Sequence, residues 1–193
     1  MNKYFSQSAL LLSLALTATT ASAHTGAHEI NGFISGFSHP FMGLDHTLVM
    51  LGVGLLASRL NKINASLTVA AFLSFMSIGA GLALVGFEMQ NVEIGILVSV
   101  LMTGLLLGTS RQLHSALIAT LVASFALFHG FAHGAEMPQA AQPINYAVGF
   151  LLATALLHAI GLGLGALLNK HQLGLKIAGF TTCGLGLYLL ISA

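Results

Sequence analysis

The sequence predicts an all-α polytopic membrane protein: a compact bundle of six transmembrane helices following a cleaved signal peptide. Three observations carry this prediction. Of 193 residues, 56% are apolar and only 6% are charged, against roughly 25% charged in an average soluble domain. So few charges could not coat a water-soluble surface. Six apolar segments follow residue 24, most of them approaching the ~17–25 residues that cross about 30 Å of hydrocarbon. The basic residues after that point all fall in connections that share one side, as the positive-inside rule requires.

The elements can be taken in order. Residues 1–23 read as the signal: Lys3 supplies the positive start, Ala9–Ala18 an apolar stretch too short to span, and Ala21-Ser22-Ala23 an A-x-A cleavage site. An uncleaved first helix is the other reading. The mature domain is then 24–193, beginning at His24. Its spans are expected near Phe41–Ser58, Ala65–Phe87, Ile94–Gly108, Ala116–His133, Ile144–Leu168 and Leu173–Ile191. In lipid the backbone must satisfy its own hydrogen bonds, and no ten-residue alternation suggests a barrel, so these are helices.

A start outside the membrane puts Arg59, Lys62, Arg111, Lys170 and Lys176 on the cytoplasmic side, and Glu29, Glu88, Glu93 and Glu136 opposite. Both mature termini of this multi-pass chain are thereby expected on the side opposite the cytoplasm. The near-balance of six basic and five acidic residues removes nucleic acid as a partner. One cysteine, Cys183, excludes an internal disulfide and a Cys-rich metal centre. Glycines at close-packing spacing (Gly104 and Gly108; Gly161 and Gly165; Gly179, Gly184 and Gly186) suit a tight bundle, and leave a homo-oligomer open.

Against this apolar background the polar residues stand out. The first span opens His39-Pro40-Phe41-Met42-Gly43-Leu44-Asp45-His46. Pro40 suits a first helical position, which puts His39 at the helix entrance and His46 two turns, about 10 Å, further on the same face. Asp45 falls inside the apolar span, where a carboxylate costs at least ~2.5–3.5 kcal/mol and needs a cation or proton. It could ligate a metal, or hold a ligating imidazole in one tautomer.

The fourth span ends with His129, His133 and Glu136, offsets that stack three ligand-type side chains on one helical stripe. Two imidazoles and a carboxylate suit zinc, nickel, cobalt or iron(II). The first span runs inward and the fourth outward, so both sets occupy the same depth. If those spans touch, His39, Asp45, His46, His129, His133 and Glu136 converge on one cation.

Weaker candidates surround this set. His24 and His28 could capture metal at the mature start, and Glu88 and Glu93 could attract cations at the outer surface. His158, deeper in the fifth span, is either a relay point or a packing histidine. His114 and His171 read as solvated. Met42, His46 and Met50 form a spacing-four stripe that is either thioether ligation or apolar filling.

His39-Pro40-x-x-Gly43-x-Asp45-His46, continuing into Met50 and Val53-Gly54, together with His129-Gly130-x-Ala132-His133-Gly134-x-Glu136, resembles the HupE/UreJ family of bacterial membrane proteins. The resemblance covers essentially the whole chain. It implies a non-enzymatic nickel (sometimes cobalt) permease functionally linked to hydrogenase or urease maturation. Its functional residues carry over to His39, Asp45, His46, His129, His133 and Glu136.

The leading expectation is therefore a facilitator carrying Ni²⁺, with Co²⁺ second and Zn²⁺ third, from periplasm to cytoplasm without a prosthetic group. No phosphate-binding P-loop is present. Two alternatives stand beside it: an intramembrane metal-dependent hydrolase, whose zincin H-E-x-x-H is missing, and a membrane chaperone or sensor that binds metal without moving it.

Overall fold

The computed structural model describes residues 31–109, 114–168 and 172–192, so the predicted signal peptide, His24, His28, Arg111, Lys170 and His171 lie outside the described residues. Among the described residues all regular structure is helical. The elements are α1 Gly32–Met42, α2 Leu44–Ala57, α3 Lys62–Leu84, α4 Val92–Thr109, α5 Ser115–Ala135, α6 Pro143–Leu168 and α7 Gln172–Ser192. Five of them are long and apolar enough to cross a membrane, and α1 with α2 supplies a sixth, bent crossing. The chain is a multi-pass membrane protein.

Local signals account for the helix ends. The Asn31 and Asn61 side chains accept from the backbone N–H groups of Ile34 and Asn64, capping α1 and α3. Pro143 opens α6 at the position where a missing N–H costs nothing. The Arg59 guanidinium, just past α2, donates to the carbonyls of Leu106 and Leu107 near the end of α4, tying a basic residue of that side to two helices at once.

The first span departs from expectation. Instead of one helix beginning at Pro40, the chain forms α1 with Pro40 inside it, stops at Gly43, and restarts at Leu44 with an 83° bend. Pro40 cannot donate to the carbonyl four residues back, which weakens the last turn of α1. Gly43 is extended (φ −97°, ψ 122°). Its carbonyl accepts from the N–H of Thr47, and the Thr47 hydroxyl donates to the carbonyl of Pro40 at 2.8 Å. That hydroxyl satisfies an acceptor which the end of α1 leaves without an intrahelical donor.

Three packed groups build the bundle. α3 lies along α5, α4 along α7, and α6 carries α1 on its first turns and α2 on its later ones. Close approach needs glycine where backbones meet: a Cβ on Gly130 would run into the carbonyl of Met76, and one on Gly161 into that of Leu51. Most glycines singled out by spacing do pack in this way; Gly184 faces open space. The core, with Val49, Met50, Val53, Phe72, Met76, Val100, Val122, Tyr146, Phe150 and Leu157, runs between α2, α3, α4, α5 and α6.

Candidate metal centre

The bend moves the first motif onto two helices. His39 lies in the last turn of α1 and His46 in the first turn of α2, so they are not two turns apart on one face: their ring centroids lie 6.3 Å from each other. The spacing-four stripe of Met42, His46 and Met50 is broken for the same reason, with Met42 exposed on α1 and Met50 fully buried on α2. Asp45 likewise sits in the first turn of a new helix rather than mid-span. There the helix dipole favours a carboxylate, and the side chain keeps partial exposure.

On α5, His129 and His133 face inward and are both completely buried. α2 and α5 do not pack along their lengths; their histidines meet across the interval. His46 lies 5.0 Å from His129 and 4.8 Å from His133, and His39 lies 4.8 Å from His133, all ring centroid to centroid. Glu136, at the C-cap of α5, accepts from Nε2 of His39 at 2.9 Å. The His39 hydrogen bond, acting against the opposing effect of burial, holds this carboxyl below the usual carboxylate range. The structure thus brings together all six residues of the two motifs.

Hydrogen bonds decide which imidazole nitrogens are free. Nδ1 of His129 lies 2.9 Å from the carbonyl of Phe125. A carbonyl only accepts, so Nδ1 carries the proton and Nε2 the lone pair. Asp45 does the same for His46, its Oδ1 accepting from Nδ1 at 2.9 Å and from the backbone N–H at 2.8 Å. The Nε2 atoms of His46 and His129 and both ring nitrogens of His133 are buried and have no hydrogen-bond partner among the described residues. Leaving a buried polar group unsatisfied costs about 1–3 kcal/mol, a penalty that packing alone would avoid with leucine. The rings meet edge to face, and among the described residues no three His, Cys, Asp or Glu side chains already stand as a coordination shell. The donor set suits a borderline divalent cation.

The remaining candidates are placed apart. Glu88, in the turn after α3, and Glu93, in the first turn of α4, are exposed and make no hydrogen bond to this cluster among the described residues. His114 precedes α5 and is exposed. His158 is buried on α6, towards the opposite end of the bundle.

Three residues escaped sequence reasoning. Thr47 fixes the bend. Phe150 stacks on His133 at 5.1 Å with planes 7° apart, and Tyr146 meets His39 edge-on at 6.0 Å with its hydroxyl buried and unpartnered among the described residues. The spacing of four from Tyr146 through Phe150 and Thr154 to His158 was the available signal.

Fold and site together define a polytopic helical membrane protein with imidazoles and carboxylates gathered near one end of its interior. Within that class, the chain matches the HupE / UreJ protein family over residues 12–189, and it belongs to that family. It is 37% identical to Protein HupE of Rhizobium leguminosarum bv. viciae over 191 residues, 98% of this chain and 99% of that one. No solved structure matches the chain.

Proposed function

We propose that this protein is a permease that carries a divalent transition-metal ion, Ni²⁺ first and Co²⁺ second, from the periplasm across the bacterial inner membrane to the cytoplasm. Family membership implies nickel or cobalt transport linked to hydrogenase or urease; the ion and its direction are our reading. The observation that carries it is the convergence of His39, His46, His129 and His133, the last three with buried nitrogens that have no partner among the described residues.

His39 and Glu136 stand at the partly exposed rim of the cluster, where they receive the hydrated ion. His46, His129 and His133 replace its water further in. Asp45 orients His46 through Nδ1, the arrangement by which an outer carboxylate sets a metal-binding imidazole. Imidazole ligands without a thiolate keep the ion exchangeable, which passage requires. Hydrolysis is the less supported use of these groups, because Asp45 is committed to His46 and Glu136 to His39. Cells carrying His46→Ala should insert normal amounts of protein yet lose accumulation of radioactive nickel. Normal accumulation by that variant would refute the assignment.

A further inference from the structure

The cluster lies towards one end of the bundle, and the function proposed for it leaves a buried histidine at the other end unexplained. His158 is 1% exposed. Its Nδ1 lies 2.7 Å from the carbonyl of Thr154, so Nδ1 is protonated and Nε2 bears the lone pair. That Nε2 is buried and has no partner among the described residues. His158 also lines a cavity of about 770 Å³ with Ala57, Ser58, Lys62, Ser66 and Ala166, where the end of α2 meets the start of α3 and the far half of α6. Alanine and larger aliphatic side chains make most of these walls, the Ser58 and Ser66 hydroxyls, Lys62 and His158 being their polar groups, and Lys62 and Ser66 at the edge are exposed.

Two spacing-four rows connect this cavity to the cluster. On α2 and its C-cap the row is His46, Met50, Gly54 and Ser58; on α6 it is Tyr146, Phe150, Thr154 and His158. Such offsets keep side chains on nearly one face. The rows meet midway, where the Thr154 hydroxyl lies 3.4 Å from the sulfur of Met50. Tyr146 and His158 are twelve positions apart, about 18 Å along the helix axis. Between the two histidine levels stands Phe72 of α3, wholly buried, its ring 6.0 Å from that of His129 and 4.7 Å from that of His158.

We propose that His158 is an inner relay ligand for the same divalent ion, that the cavity below it is the exit vestibule, and that Phe72 is the partition the ion must pass. The assignment rests on the transport reading and extends it. A cation leaving the cluster meets a single imidazole nitrogen and cavity water, a weaker site than the one above it, and this order favours release.

Purified protein in vesicles enclosing a metal-quenched dye tests the idea. His158→Ala should slow Ni²⁺ entry about tenfold while the affinity measured by calorimetry, set by the outer cluster, stays within about twofold. Phe72→Leu keeps an apolar core residue but removes the ring, and should speed entry severalfold. In a Cys183→Ser background, His158→Cys should give cobalt–thiolate charge-transfer absorbance on adding Co²⁺, which Ile160→Cys on the outer face of α6 should not.

Wild-type vesicles that admit no ion would refute transport and the relay with it. Wild-type entry matched by His158→Ala would refute the relay alone. A parallel fall in binding and entry for His158→Ala would make the residue structural and overturn the relay, as would absence of the cobalt band.

Discussion

Three imidazoles in this protein take their tautomer from an oxygen on their own helix: His46 from Asp45, His129 from Phe125 and His158 from Thr154. In each case Nδ1 is spent locally and Nε2 is left facing the interior. Asp45 differs from the two carbonyls in carrying charge as well as orientation, and substitution separates these roles. In Asp45→Asn the amide oxygen can still accept from Nδ1, so the tautomer survives while the charge is lost. Asp45→Ala loses both. Removing an outer partner of this kind typically weakens metal affinity about 10–100-fold; Asp45→Ala should fall in that range and Asn should lie nearer wild type, read by calorimetric Ni²⁺ titration. Equal losses in the two variants would assign the effect to charge alone. Residue types and spacing were enough to single out the six motif residues, because ligand-type side chains are conspicuous in an apolar chain. The tautomers were not legible, since they depend on which carbonyl the folded turn presents.

At the level of elements, the position of each span was legible and the shape of the first was not. The expected Ile144–Leu168 differs from α6 by one residue at its start, and Ile94–Gly108 expands only to Val92–Thr109. Long apolar runs bounded by turns leave little freedom. The break at Gly43 escaped because Pro40 suits the start of a helix better than its last turn, so the sequence points to a helix beginning there. What decided between them is the tertiary docking of α1 on the first turns of α6 and the Thr47 hydroxyl reaching back to Pro40. Thr47→Val keeps the side-chain shape and deletes that hydrogen bond. It should cost about 1 kcal/mol of stability, measured by thermal unfolding in detergent. It should also weaken Ni²⁺ binding about tenfold, since His39 and His46 sit on either side of the bend and their orientation depends on it. A stability loss without an affinity loss would mean that the bend is held by the docking of α1 rather than by Thr47.

For the whole molecule, the parallel and antiparallel pairings agree with the charge pattern. α3 and α5 run the same way, as do α2 and α6: Gly130 meets Met76 and Gly134 meets Ala80, while Gly54 meets Gly161 and Gly165 meets Ser58. Spans that cross alternately in chain order make both pairs parallel. The histidine cluster then lies at the end where α5 finishes, and Arg59 and Lys62 lie at the end where α2 finishes. On the positive-inside rule we propose that the second end is cytoplasmic. The orientation can be measured with a membrane-impermeant thiol reagent on cells expressing single-cysteine variants in the Cys183→Ser background. Gln139→Cys, in the turn beyond the cluster, should label in intact spheroplasts, whereas Asn61→Cys should label only after the membrane is opened. The opposite pattern would place the cluster at the cytoplasmic face, and the ion that His39 and Glu136 receive would then be one leaving the cell.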